Sequence, residues 1–206
     1  MVKFMLYIRA ELENLTNFQP QGGCNDPDFT YYFKLKCDDC GEVTKKEICV
    51  SLNETVHLSR KRTTNLIKKC KFCTRVGTMT MIPGQGIPLT NLSSENGDYA
   101  PLMVFDCRGF EPLDFAFGRG WKAETIEDAR ILEDVDFSNG DFAEYDDKGG
   151  YWIMIFNVNA MFKVVFLYKS VSSHHFLPTF PLQHESLILL QSMKSLHPRY
   201  FRPAVQ

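Results

Sequence analysis

Two pairs of cysteines constrain the fold of this 206-residue chain more than any other feature of its sequence. Cys37 and Cys40 form one C-x-x-C motif, and Cys70 and Cys73 form a second. A C-x-x-C turn presents two sulfur atoms on one side of a tight knuckle, so two knuckles supply the four thiolates of a tetrahedral zinc site. The sequence therefore predicts one metal ion that joins two distant segments of chain. Iron in a rubredoxin-like site uses the same four donors and is the competing metal.

The complete ligand set predicts that this metal has a structural role. Four thiolates leave no coordination position for water, whereas a catalytic zinc keeps one position open. A thioredoxin-like redox site is the alternative, but it needs one C-x-x-C motif that follows a strand and opens a helix. Both motifs here end strand-like segments with no helical pattern behind them. Of the other cysteines, Cys24 and Cys107 are expected to be inert, and Cys49 is expected to lie in the core.

Hydrophobic alternation predicts an all-β fold. Phe4, Leu6, Ile8, Ala10 and Leu12 alternate with polar residues, which is typical of a strand with one buried face. Further short strand-like runs separated by Gly, Pro and Asn favour a β-sandwich or barrel. The same patterns predict five further features: an end of the first strand in residues 14–17 with a loop over Pro20–Pro27, a strand over Val43–Leu52, an irregular segment over Leu89–Asp98, acidic loops over Glu127–Gly150, and a buried strand pair over Tyr151–Tyr168.

The organisation along the chain predicts a zinc-binding β domain over residues 1–166. Phe33–Cys37, followed by Gly41, resembles Met103–Cys107, followed by Gly109, since each is a strand that delivers a cysteine to a turn. This repetition predicts two similar sandwich-like or barrel-like halves, roughly 1–90 and 91–166, with the metal site in the first. Residues 167–206 are polar and broken by prolines, so they are expected to form an extension of low order, with one short helix near residues 187–193.

Charge is unevenly distributed although the net charge is only −2. Residues 33–76 contain eleven Lys/Arg against five Asp/Glu, whereas residues 100–148 contain five against thirteen. The basic stretch from Arg60 to Lys71, with Phe72 for stacking, suits contacts with phosphates and makes a nucleic-acid-binding zinc module the alternative function. The favoured interpretation is a solvated basic face that balances the negative charge of a zinc-thiolate cluster.

Several motifs together resemble the CXXC-motif-containing zinc-binding proteins, a eukaryotic family also classed as a domain of unknown function. The resemblance is carried by three segments: residues 11–17 (ELENLTN), the two cysteine motifs with their flanking residues, and residues 105–112 (FDCRGFEP). The sequence of residues 121–124 (WKAE) is most similar to that of the plant members of this family. The resemblance covers roughly residues 1–150, and the residues after about 165 form an atypical C-terminal extension. It implies a mostly β fold of two similar halves, one zinc held by the four cysteines, and no established enzymatic activity.

These observations predict a non-enzymatic zinc-binding protein whose β scaffold takes part in protein–protein interaction. No Ser/His/Asp or Cys/His arrangement is arguable from spacing, so no catalytic and no cofactor-binding residues are predicted. The partner is expected to be another protein of unknown identity, without nucleic acid or membrane, and the chain is expected to be a monomer. Free thiols and the absence of a signal-like N-terminus predict a reducing compartment, the cytoplasm with the nucleus as a second location.

Overall fold

The computed structural model describes residues 1–59 and 62–166. The extension over 167–206, its helix and its order lie outside the described residues, as do Arg60 and Lys61. The regular secondary structure of the described part is almost entirely β-strand, as the sequence predicts. Its strands, in chain order, are β1 (Val2–Glu13), β2 (Leu15–Pro20), β3 (Tyr31–Cys37), β4 (Ile48–Val50), β5 (Val56–Ser59), β6 (Arg62–Thr64), β7 (Leu66–Lys69), β8 (Val76–Ile82), β9 (Ala100–Arg108), β10 (Phe110–Ala116), β11 (Trp121–Thr125), β12 (Ile131–Val135), β13 (Phe142–Asp146) and β14 (Tyr151–Val165).

These strands form four antiparallel sheets. The largest has six strands in the order β13-β14-β1-β9-β8-β7, and two sheets have three strands each, β10-β3-β4 and β12-β11-β2. Strands β5 and β6 form a separate hairpin. Strands from residues 1–90 and 91–166 pair within the same sheets, for example β1 with β9 and β3 with β10. The internal similarity of the two halves stays a prediction.

The core lies between the sheets and is rich in aromatic rings. The predicted alternation of β1 is confirmed, because Leu6, Ile8 and Ala10 are fully buried while the intervening side chains are partly exposed. Trp121 on β11 is also fully buried and stacks on Phe18 of β2 with ring centroids 4.9 Å apart. Its indole Nε1 donates a hydrogen bond of 2.7 Å to the Phe117 carbonyl. The sheets are thus joined by burial of large apolar side chains.

The first strand ends at Glu13, close to the expected residues 14–17, but residues 15–20 form a further strand, β2, that the sequence patterns did not predict. Asn14 adopts a left-handed backbone conformation (φ 56°) and its side chain donates to the Trp152 carbonyl at 2.8 Å. Asparagine tolerates this conformation better than most residues. The chain therefore leaves the six-stranded sheet at Asn14 and enters a second sheet rather than a loop.

The segment expected to be irregular over residues 89–98 contains the short helix α1 (Asn91–Glu95). Thr90 caps it, because its hydroxyl accepts a hydrogen bond from the Ser93 amide. Buried Ser94 then anchors the helix to β1: its Oγ accepts from the Leu12 amide and donates to the Ala10 carbonyl, both at 2.9 Å. Polar residues were expected to mark a loop here, but they supply the helix cap and its anchor.

The acidic segment over residues 127–150 forms β12 and β13 rather than loops alone. Leu132 and Val135 of β12 are buried, while the intervening acidic side chains face solvent. Asp146 on β13 is buried and accepts from Arg130 Nη2 at 3.0 Å, and this bond contributes to holding the Asp146 pKa below its usual value despite the desolvation that opposes it. Phe142 on β13 is partly buried and packs against the core.

The expected strand pair over residues 151–168 is a single strand over its described part. β14 runs for fifteen residues, and only Ile153 and Ile155 are fully buried. Asn157 adopts φ 52° where the register with β1 shifts, so a bulge replaces the expected turn. Likewise, β4 occupies only three residues of the strand expected over 43–52. Among the described residues, no helix is long and apolar enough to cross a lipid bilayer.

Candidate metal centre

The structure brings the four predicted cysteines together. Their Sγ atoms all lie within 4.8 Å of one another. The Cys37–Cys73 and Cys40–Cys70 sulfur pairs, each from one motif to the other, are 3.6 Å apart. A zinc ion with bonds of about 2.3 Å places tetrahedral sulfurs about 3.8 Å apart, so these distances suit that geometry. They are far too long for a disulfide, and all four thiols are free.

The first knuckle follows directly from the end of β3. Cys37 is the last residue of that strand, its amide donates to the Glu42 carbonyl at 2.9 Å, and its carbonyl accepts from the Gly41 amide at 2.9 Å. Gly41 has a φ of 75°, a conformation that glycine adopts without the Cβ penalty of other residues. The chain can therefore reverse and bring Cys40 back beside Cys37.

The second knuckle has the same backbone pattern after β7. The Cys70 amide donates to the Arg75 carbonyl at 2.8 Å, which matches the bond from Cys37 to Glu42. Thr74 occupies the position of Gly41 and also has a positive φ, 63°. A β-branched residue rarely adopts this conformation, so the sequence offers no glycine by which this turn could be recognised. The two knuckles thus share this hydrogen bond and a positive φ at the same position, although their turn residues differ.

The electrostatics of the cluster favour a bound cation. Hydrogen bonds from the backbone amides of Cys73 and Phe72 lower the pKa of the Cys70 thiol to about 7. At Cys73 a bond from the Arg75 amide acts in the same direction, but desolvation and the neighbouring thiols outweigh it and raise the pKa to about 12. Four crowded sulfurs cannot all ionise without a compensating charge, and a divalent cation supplies it.

The cluster is partly enclosed by protein. Cys37 and Cys70 are buried, while Cys40 and Cys73 are half-buried. An ion pair between Arg75 Nη1 and Asp39 Oδ1, 2.8 Å long, links the two knuckles on the outside. Both side chains are about half exposed, so this pair contributes little by itself. The donor set and its geometry suit one structural zinc ion.

Residues outside the two motifs also support the centre, and sequence reasoning missed them. Phe110 on β10 pairs with Cys37, and the Asp38 amide donates to the Gly109 carbonyl at 3.2 Å. Gly77 on β8 lies against this β9–β10 turn: an added Cβ would stand 2.3 Å from the Phe110 ring and 2.5 Å from the Arg108 carbonyl oxygen. A glycine inside a strand often marks such a close approach, and that pattern was available in the sequence.

Replacement of Gly77 by alanine is expected to lower the melting temperature by several degrees. The new methyl group would push apart the hairpin that backs Cys37, and such overpacking costs about 1–3 kcal/mol, or roughly 2–4 °C per kcal/mol in a domain of this size. Differential scanning calorimetry measures the change. An unaltered melting temperature would show that β9 and β10 move away without cost.

The other cysteines lie apart from this cluster in the described structure. Cys24 and Cys107 are buried, and desolvation raises the pKa of both thiols, which suits the expected inert role. The expectation that Cys49 lies in the core is wrong, because its side chain is exposed. Neighbouring Ile48 and Val50 on the three-residue β4 face the core instead. The expected alternation of buried and exposed side chains is therefore present, but Cys49 lies on the exposed face.

Comparison with known proteins agrees with this geometry. The family model for the eukaryotic CXXC motif containing zinc binding protein matches residues 5–163. The human protein of that name is 32% identical over 163 residues, which cover 79% of this chain and 98% of the human one. A UPF0587 protein from Nematostella vectensis is 35% identical over the same shares.

Solved structures show the same fold. The crystal structure of C1orf123 superimposes with a TM-score of 0.70 and 29% identity, over 79% of this chain and 99% of that one. A hypothetical protein from Plasmodium falciparum shares the fold alone, with a TM-score of 0.66 and 18% identity over 79% and 100% of the two chains. The match to the family model extends to residue 163, within β14 and beyond the expected limit near residue 150. The likeness to plant members stays a prediction. This chain belongs to the eukaryotic family of CXXC-motif-containing zinc-binding proteins.

Proposed function

We propose that Cys37, Cys40, Cys70 and Cys73 hold one zinc ion whose role is structural, and that the β scaffold it stabilises binds a partner protein without catalysing a reaction. The observation that carries the proposal is the closed set of four thiols at the meeting point of two knuckles and the β9–β10 turn. With all four tetrahedral positions filled by protein, the ion has no open site for substrate or water. Its binding energy becomes folding energy.

The position of the centre supports a scaffold role. β3 belongs to the three-stranded sheet with β10 and β4, whereas β7 is the last strand of the six-stranded sheet. The metal therefore cross-links two sheets at the ends of β3 and β7. Cross-linking distant segments reduces the freedom of the unfolded chain and orders the surface between them.

Affinity capture from cell extract tests the interaction. The full chain should retain a specific protein that survives nuclease treatment, while a Cys70→Ser variant should lose it because the ordered surface is gone. Cys49→Ser is the matched control, since Cys49 is exposed and outside the cluster, and it should retain the partner. Recovery of the full chain alone, or of material that nuclease removes, would contradict the proposed protein partner.

A further inference from the structure

A groove with a basic rim lies beside the metal centre. It has a volume of about 620 Å³ and is lined by residues 42–48 on one side, residues 68–72 on the other, and Phe110 at its base. We call it the basic groove. Cys70 belongs to its wall, so its shape depends on the knuckle that ends β7.

One wall of the basic groove includes Lys68 and Lys69 of β7, and the other is the segment over residues 42–47 that leads into Ile48, the first residue of β4. β4 is the last strand of its three-stranded sheet and β7 is the last strand of the six-stranded sheet; the two do not pair with each other in the described structure. They are held together at both ends. At one end Cys40 faces Cys70 at 3.6 Å, and at the other Asn65 Nδ2 donates to the Ser51 and Leu52 carbonyls at 3.1 and 3.3 Å. Between these two contacts the walls do not pair with each other, which leaves the basic groove open.

The lining of the basic groove combines positive charge with apolar surface. Two glutamates and five lysines line it, and the lysines are Lys45, Lys46, Lys68, Lys69 and Lys71. None of the five forms an ion pair within residues 1–59 and 62–166. Ile48 and Phe110 are buried behind the groove, while the Phe72 ring at its edge is 77% exposed. Unpaired strand edges readily accept an added extended peptide, and the unpaired lysines favour an anionic one.

We propose that the basic groove binds an extended, acidic segment of a partner protein, with alternate apolar side chains directed at Ile48, Phe72 and Phe110. The proposal rests on the proposed scaffold function and names its surface. Carboxylates of the segment meet the lysines at the rim. Backbone groups of the segment lie alongside the free edges of β4 and β7.

Two other occupants fit the basic groove less well. A single-stranded nucleic acid is held by several aromatic side chains that stack on successive bases, whereas Phe72 is the one strongly exposed aromatic in the lining. Residues 167–206 of this chain carry four Lys/Arg and one Asp/Glu, so their charge has the same sign as the groove.

Fluorescence anisotropy with defined probes tests the proposal on the full chain. The probes are a labelled twelve-residue peptide of alternating Glu and Val, the same peptide with Lys in place of Glu, and a twelve-residue polyuridine. Wild-type protein should bind the acidic peptide more tightly than either other probe, and added salt should weaken the binding. The double variant K45E/K46E should bind it at least about tenfold more weakly, because four charge units change at the rim.

The matched control is K148E/K163E, which changes the net charge equally at two exposed lysines outside the groove. It should bind the acidic peptide as the wild type does. Zinc content and melting temperature, measured on both double variants, show that each is folded. The proposal is overturned if both variants lose binding equally, if the wild type does not bind the acidic peptide at about 1 mM, or if polyuridine binds more tightly.

Affinity capture separates failure of this proposal from failure of the scaffold function. If K45E/K46E retains the same partner as the wild type, the groove is not the docking surface but the scaffold function stands. If the partner is lost with K45E/K46E and kept with K148E/K163E, the groove is confirmed as its site. If the wild type retains no partner, the scaffold function fails, while the peptide titration still decides what the groove itself binds.

Discussion

A Cys70→Ser variant is expected to bind no zinc and to melt about 10 °C or more below the wild type. Cys70 is buried, and backbone amides of Phe72 and Cys73 lower its thiol pKa to about 7, so at neutral pH it is a good metal ligand. A serine hydroxyl has nearly the same shape but is a poor donor to zinc. Loss of one ligand from a closed set removes folding energy supplied by the metal, and about 3–5 kcal/mol corresponds to this shift in melting temperature.

Native mass spectrometry and thermal melts measured on the same preparations check this expectation. Mass spectrometry identifies the metal and its stoichiometry, and a strong chelator added to the wild type should lower its melting temperature to that of Cys70→Ser. Cys49→Ser is the control, because its side chain is exposed and lies outside the cluster; zinc content and melting temperature should be unchanged. A metal-free Cys70→Ser protein that melts like the wild type would show that the ion is not structural.

The second large effect is expected at Trp121. Its side chain is completely buried, stacks on Phe18, and meets Phe29 and Phe117 with ring centroids 4.9 and 5.3 Å away. Replacement by alanine leaves a cavity at this junction and removes the hydrogen-bond donor of the Phe117 carbonyl. Truncation of a buried tryptophan costs about 3–5 kcal/mol, which predicts a melting temperature lower by roughly 10 °C in a domain of this size.

Trp152 provides the internal control, because the chain has two tryptophans and this one is 53% exposed. Trp152→Ala removes the edge-to-face contact between Trp152 and Tyr145, whose ring centroids are 5.4 Å apart. This change should lower the free energy of unfolding by about 1 kcal/mol. Tryptophan emission distinguishes the two sites, since only the protein that retains Trp121 should show emission from a buried indole. A Trp121→Ala variant as stable as Trp152→Ala would contradict the packing described here.

Much of the metal centre was predictable because its chemistry is local. A C-x-x-C turn orients two sulfurs through a few backbone dihedrals, and Gly41 marks the turn at the first knuckle. The second knuckle lacks such a mark, since Thr74 takes the same positive φ. The support given by Gly77 and Phe110 depends on the approach of β8 to the β9–β10 turn. A glycine inside a strand can indicate that something comes close, but the partner, more than thirty residues away in sequence, is specified by no local pattern.

Errors in the predicted elements have a common physical origin. β12 and β13 were expected as loops because the segment is acidic, yet they are strands in which only Leu132 and Val135 of β12 and Asp146 of β13 are buried. Helix α1 was missed because its stability comes from the anchor between Ser94 and β1 rather than from an apolar face. Cys49 was placed in the core because a strand of only three residues gives an alternation too short to fix its phase.

The hydrophobic alternation and the two cysteine pairs thus determined, without a structure, that this chain is a β protein built around one four-thiolate metal site. Thiolate chemistry and the period of two in a strand are both local properties, and the sequence carries them directly. Tertiary structure decided which sheets the knuckles join and that two free strand edges remain between them. It also decided that five lysines line the basic groove. Those features arise from pairing between distant strands, whose partners and register are set by burial of the whole core.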